Sequence, residues 1–447
     1  MDDLELAGLT IKKATELGAQ ESDVFLVTTS KHSVEFADKG ITSYRFSSEK
    51  IIGIRVIIDK RIGITSTNVE SIRDVEKAVK EAIAIARASE PDARWVSLPS
   101  SLEPTPIEGA HDKRIQGLQP RDITDYVSTM IDAVHEESSG RAKVSTSKLE
   151  MGVARYTIAN SYDSPISRLS SHILVNLEAV MEETDKRSTG SVVITKKRLD
   201  EVKFEEAGHE AASKAIKFVD AKPVETGVYN IVLTEKVFAE AIETMISGPI
   251  SAEWVIEGRS PLADKLGKSI ASNKLTIIDD PLMPWGYGSR EFDDEGIPTR
   301  RIEVIKEGVL RSFIYDTYTA RIHGRESTGN AHRTPSSRPR PRPNNLVCEP
   351  GDASLEEMIE EPRILVVCDT VGLWLSNPVS GQFNATVTHG ILYDKGKEVE
   401  RVKGVVLSAD FWKMLRENLL LVGKNVDNLA NYYAPAILVS NVHVSGK

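Results

Sequence analysis

The chain has 447 residues, 40% of them hydrophobic and 27% charged, with a formal net charge of −10. That is material for a large core and, at roughly 150 residues per domain, for about three domains. The acidic balance argues against a dedicated nucleic-acid surface, and no run approaches the ~18 apolar residues that a membrane span needs.

Residues 3–18 place Leu4, Leu6, Ala7, Leu9, Ile11, Ala14 and Leu17 at a rough helical period, and Gly18 follows as a stop. This acidic, amphipathic start is unlike the basic and then apolar start of a signal peptide. β-rich runs come next at 23–28, 32–36, 41–46 and 51–58, with a turn at 59–61 and a return through 62–66. Residues 70–88 predict a helix whose apolar face is Ile72, Val75, Val79, Ala82, Ile83 and Ala86, with Ser71 as its cap. Residues 90–120 are rich in Pro and Ser without periodicity, which reads as a linker or a long surface crossing.

A helix at 121–137, β-rich runs at 143–158, 173–179 and 189–193, and a helix at 200–219 follow, before a boundary at 221–227. The remainder opens with a strand at 229–233 and a helix at 235–246. In 258–330, glycine-centred turns with acidic partners punctuate short strands at 275–278, 300–305 and 309–315, with Lys306-Glu307-Gly308 as a hairpin connection. The Pro- and Arg-rich segment 334–346 predicts a mobile exposed loop, and further strands are expected at 364–368, 390–393, 404–407 and 436–442.

No motif found by residue chemistry makes a catalytic site. His135-Glu136 and His209-Glu210 each lack the second histidine, one helical turn on, that a zinc helix requires; exposed helix residues are the simpler reading. Asp279-Asp280 and Asp293-Asp294-Glu295 could offer oxygen ligands to a hard cation, but Asp before Pro or Gly more often starts a turn. Cys348 and Cys368 form neither a disulfide framework nor a zinc ribbon and fit a reducing, cytoplasmic setting. Cys368 lies in an apolar run, where burial is the default. Gly286-Tyr287-Gly288 follows Pro-Trp rather than a strand, so a dinucleotide loop is not supported. Arg338, Arg340 and Arg342 alternate with prolines without stacking aromatics, which favours a solvated loop over a nucleic-acid contact.

Several longer segments, in order, resemble the TldD/PmbA family and within it the PmbA (TldE) branch. They include GIRVIIDKRIGITSTN, SPLADKLGKSIAS followed by LTIIDDP, FDDEGIPTRRIEVIKEGVL, DTYTARIHGRESTGNA, LSNPVSGQFNATVTHGILYDKGKEVERVKGV and VGKNVDNLANYYAPAILVSNVHVSG. The family is known as modulators of DNA gyrase and as an intracellular zinc protease of two related chains acting on peptides and unfolded segments. In the TldD branch a His-Glu-x-x-x-His helix and a cysteine near the carboxyl end hold zinc. The matching positions here are Glu243–Gly248, so Glu243, Thr244 and Gly248 form a degenerate site, and no cysteine follows Cys368. The resemblance therefore implies a non-catalytic chain with no metal of its own, zinc being expected only in a TldD-like partner. It further implies a heterodimer with that subunit, or a homodimer, and a peptide substrate. The alternative is a stand-alone peptide- or protein-binding factor, gyrase-modulator-like, without a proteolytic role. The expected architecture is α+β, with α+β domains at 1–100 and 101–222 and a mainly antiparallel β domain at 223–447. Tyr162-Asp163 stands where relatives usually carry glycine, which puts that local turn in question.

Overall fold

The structure is a computed structural model that describes residues 2–183 and 186–447. The amino-terminal half contains helix α1 (Asp3–Glu16), strands β1 (Glu21–Ala37), β2 (Gly40–Ile58) and β3 (Arg61–Asn68), and helix α2 (Ile72–Ala88). After a crossing come a single turn α3 (Lys113–Gln116), α4 (Pro120–Ser138), β4 (Ala142–Val144), β5 (Ser147–Asn160), β6 (Ile166–Glu183), β7 (Lys186–Lys196) and α5 (Phe204–Lys217). Among the described residues these strands form one seven-stranded sheet in the order β3-β2-β1-β5-β6-β4, with β7 also on β6. All its pairings are antiparallel, including β1 with β5. Strands from residues 1–100 and 101–222 therefore share a single hydrogen-bonded sheet.

The runs expected at 23–28 and 32–36 are one continuous strand, as are those at 41–46 and 51–58. Period-two alternation divides them between two faces. Val24, Leu26, Ile54 and Val56 pack under α1 and α2, against Val75, Val79, Ala82 and Ile83. Ile72, expected on that apolar face, is exposed because it sits at the first turn, ahead of the contact. At the start of α2 the Asp74 carboxylate accepts from both the Ser71 amide and hydroxyl, which holds the first turn. The odd-numbered positions Asp23, Phe25, Arg55 and Ile57 are also buried, but on the opposite face, against the carboxyl-terminal half.

That half runs through β8 (Gly227–Leu233), α6 (Glu235–Met245), α7 (Ala252–Ile256), β9 (Ile277–Asp279), β10 (Ile302–Lys306), β11 (Val309–Leu310) and α8 (Thr317–Ile322). It continues with β12 (Ala331–His332), β13 (Arg340–Pro341), β14 (Leu346–Cys348), α9 (Leu355–Met358), β15 (Ile364–Val371), β16 (Gln382–Asp394) and β17 (Lys397–Val402). β18 (Val405–Asp410), α10 (Phe411–Glu417), β19 (Leu419–Leu429) and β20 (Tyr432–Ser445) complete it. Its eleven-stranded sheet has the order β11-β10-β9-β14-β20-β18-β16-β15-β8, and an added β20–β8 pairing closes the last five strands into a ring. The pairings are antiparallel except β14 with β20 and β15 with β8, so the fold is α+β. No helix among the described residues is long and apolar enough to cross a membrane.

The Lys306-Glu307-Gly308 hairpin forms as read: Lys306 pairs Val309, and Glu307 and Gly308 take φ of 48° and 74°, the left-handed pair a tight hairpin uses. The run after it stops at Leu310 instead of continuing to 315. The mobile exposed loop expected at 334–346 is corrected. Pro341, Asn344 and Asn345 are buried, β13 pairs β12, and Arg338 reaches Glu253 at 2.9 Å. Gly53 makes this packing possible, because a Cβ there would lie 2.1 Å from the Pro335 carbonyl oxygen. The crossing at 90–120 buries Trp95, Leu98 and Leu102 between the halves. At Tyr162-Asp163 no glycine is needed: the Asn160 side-chain oxygen accepts from both amides, and Asp163 in turn accepts from the Leu102 amide.

Candidate functional site

Helix α6 follows Thr234 and turns Val237, Phe238, Ala241, Ile242 and Met245 inward, leaving Glu240, Glu243 and Thr244 on its other side. Burial raises the Glu240 carboxyl to about 7, against a 3.2 Å bond from the Thr370 hydroxyl and with Asp369 and Glu243 as like-charged neighbours. The helix ends at Met245, so Gly248 lies in the turn beyond it. A Cβ on Gly248 would stand 2.6 Å from the Trp254 indole. Glutamate, threonine and a glycine roofed by indole do not make a zinc site, which needs three nitrogen, sulfur or oxygen ligands and an open position. Among the described residues no group of three or more His, Cys, Asp or Glu is arranged for a metal ion.

The other candidates from residue chemistry also take structural roles. His135 Nε2 lies 3.2 Å from Asp38, and His209 Nδ1 lies 3.3 Å from Glu137, each on a separate helix surface. Cys348 is fully buried, and burial pushes its thiol well up; Cys368 is raised by burial to about 11. Neither is a nucleophile at neutral pH. Gly286-Tyr287-Gly288 lies in a loop, where the Gly288 amide donates to Asn345 and the Tyr287 amide to the Tyr433 hydroxyl.

The acidic clusters have a larger role than turns. Asp293 does close its turn, accepting from the Glu295 and Ile297 amides at 2.9 and 3.0 Å. Yet Asp279, Asp293, Asp294 and Glu295 are all buried, as are Asp23 and Asp316, and Asp294 and Glu295 reach arginines of the amino-terminal half. Arg55 grips Asp23 through Nε at 3.1 Å and Nη2 at 2.6 Å and reaches Glu295 at 3.3 Å. Arg333 adds a 3.0 Å bond to Asp23, and Arg168 and Arg290 both reach Asp294 at 3.1 Å. Burial alone would raise the Asp23 and Asp294 carboxyls, but their guanidinium partners overcome it and hold both below the ordinary range.

Carboxyls without an arginine in hydrogen-bond contact shift the other way. Burial raises Asp279 to about 6 despite bonds from Asn330 and Asn344. Burial, reinforced by the Glu295 charge, also raises Asp293 and Asp316. Lys197, 2% exposed, donates to the Ser289 carbonyl at 2.5 Å; burial and then Arg168 lower its ammonium to about 7. The network glues the halves together. Beside it, Arg55, Trp95, Asp316 and Tyr318 line a cavity of about 250 Å³. None of these four was singled out as a site by sequence; the only local signal was the Asp316-x-x-Thr319 capping pattern.

A family model described as the PmbA/TldA metallopeptidase C-terminal domain matches residues 226–446, and one described as PmbA/TldA metallopeptidase domain 1 matches residues 22–86. The metalloprotease PmbA of Escherichia coli O157:H7 is 24% identical over 455 residues, spanning 98% of this chain and 95% of that protein. A Thermotoga maritima structure named for modulation of a DNA gyrase is 26% identical with a TM-score of 0.88, covering 99% of both chains. The fold is also that of TldE from Thermococcus kodakarensis, at a TM-score of 0.90, 23% identity, and coverage of 99% of this chain and 100% of that one. With both ends of the chain matched in the same order and the whole fold shared, this protein belongs to the PmbA/TldD metallopeptidase family.

Proposed function

We propose that this chain is a PmbA/TldE-like, non-catalytic subunit of a TldD/TldE-type zinc metalloprotease acting on peptides or unfolded segments. The observation that carries the reading is the degenerate helix end: Glu243 and Thr244 on α6, and Gly248 closed off by Trp254. Zinc belongs, on this reading, to a TldD-like partner. This chain supplies surface rather than chemistry, covering the partner's cleft and offering strand edges to an extended peptide. An exposed apolar strip supports the pairing. Val371, Trp374, Leu375 and Val379 stand 54, 69, 67 and 48% exposed, on a segment tied to α6 through the Thr370–Glu240 bond. Exposed apolar surface of this kind marks association sites.

The test is metal analysis and peptide cleavage with the chain alone, with a TldD-like chain alone, and with both mixed. Cleavage that needs the mixture, with zinc on the partner, supports the proposal. Stoichiometric zinc and chelator-sensitive cleavage by this chain alone would end it. A second reading, a stand-alone peptide- or protein-binding factor, is favoured by the likeness to the Thermotoga protein named for gyrase modulation. It predicts binding without cleavage in any mixture.

A further inference from the structure

The cavity of about 250 Å³ at the junction of the halves plays no part in the reading above. It is smaller than the roughly 300–1,000 Å³ of drug-sized ligand pockets, so it has room for about one residue and not for a peptide. Ile62 and Ile64 from β3, Ile256 from α7 and Pro339 give it apolar walls, and the Trp95 and Tyr318 rings line it, stacked with centroids 6.4 Å apart. An apolar body fits such walls.

Its polar end is Asp316. This side chain is 2% exposed and caps α8, where Oδ1 accepts from the Thr319 amide at 2.8 Å and hydroxyl at 2.5 Å. Among the described residues nothing donates to Oδ2, and no Lys, Arg or His pairs with the carboxyl. The other charges lining the cavity are matched. Arg55 is held by Asp23 and Glu295, Arg94 by Asp92 at 3.7 Å, Arg338 by Glu253 at 2.9 Å, and Glu257 by Arg259. Asp316 therefore brings to a largely apolar cavity a carboxyl oxygen that has no donor among the described residues, with the Glu295 and Asp293 carboxyls as its charged neighbours. A buried carboxyl in that position lacks a cation, and an anionic or neutral occupant would not supply one.

We propose that this cavity is an amine-binding site: it takes a primary ammonium carried on an aromatic or branched aliphatic body, the ammonium resting on Asp316 Oδ2. The same chemistry belongs to a free small amine and to the amino-terminal residue of a peptide. The inference concerns this chain alone and stands whether or not it pairs with a zinc subunit.

Calorimetric titration of the full chain with phenethylamine, 2-phenylethanol and phenylacetate tests it, since the three share a ring and differ in charge. Phenethylamine binding at least about tenfold tighter than the other two is the expected result. Asp316→Asn, which keeps a capping oxygen for α8, should abolish that preference. Should that variant fail to fold, Ile256→Trp, which fills the cavity and brings no charge to Asp316, should abolish phenethylamine binding. Equal affinity for amine and alcohol, no binding of any probe, or amine binding that survives Ile256→Trp each overturns the proposal. The peptide Phe-Ala-Ala and its N-acetyl form then separate the sources. Binding of the free peptide alone assigns an amino-terminal residue, and binding of phenethylamine but of neither peptide assigns a small amine.

Discussion

Arg55 shows what a single residue does when it is buried beside charge. It is 4% exposed and serves both Asp23, directly across the β1–β2 ladder, and Glu295, 240 positions along the chain. Arg55→Met would leave two carboxylates in a dry junction, Asp23 keeping only Arg333 and Glu295 only the Thr317 amide. Removing one side of such a pair costs about 3–5 kcal/mol, whereas replacing both sides with apolar groups costs far less. Urea unfolding should therefore show Arg55→Met strongly destabilised and Arg55→Met/Glu295→Gln partly restored, because the second change removes the orphaned charge, keeps an acceptor for the Thr317 amide and leaves Asp23 with Arg333. Lys197 gives a pH-dependent counterpart. Its folded pKa, about 7, lies below the ordinary 10.5, so its contribution to stability is present above 10.5 and lost as pH falls through 7. Thermal unfolding between pH 10 and pH 6 should show the native chain losing about 2–4 kcal/mol more than Lys197→Met; parallel profiles would sink this assignment. The sequence displays these charges but not their partners. Alternation along β1 tells which face Asp23 occupies, and nothing local tells that Arg333 lies over it.

Secondary-structure elements were more legible where the cause is local. The 3.6-residue period of α2 and the turn chemistry of Glu307-Gly308 each depend on neighbouring residues, and both form as read. The segment 334–346 misled because proline and arginine signal solvated chain only when nothing packs on them. Here a glycine nearly three hundred positions earlier leaves room for Pro335. The end of α6 shows the same dependence on a distant fit. Glu243, Thr244 and Gly248 are visible as absent ligands, but the indole that fills the space is set by the turn through 246–250. Gly248→His would drive its side chain into Trp254 and cost about 1–3 kcal/mol by overpacking, with no gain in bound zinc. Trp254→Ala in the same chain should recover part of that loss, as measured by denaturant midpoint, while metal content stays at background.

At the scale of the whole molecule, composition and run lengths foretold helices and strands in an α+β chain but not how the halves join. The β1–β5 ladder ties residues before and after the crossing into one sheet, and its far face is sealed by charge pairs set beside apolar clusters around Phe25 and Ile57. On the function proposed above, a partner would dock on the carboxyl-terminal half. The strip at Val371, Trp374, Leu375 and Val379 is the place to test that. Trp374 and Leu375 lie on a 3-10 turn and make few demands on the fold, since each is more than 60% exposed. Surface substitutions of this kind usually change stability by less than ~0.5 kcal/mol. Trp374→Glu/Leu375→Glu should thus unfold at the native midpoint, yet lose association with a TldD-like chain, or with itself, by at least about tenfold in sedimentation velocity. Undiminished association would move the interface elsewhere, whereas a lowered midpoint would show that the strip is packing surface after all.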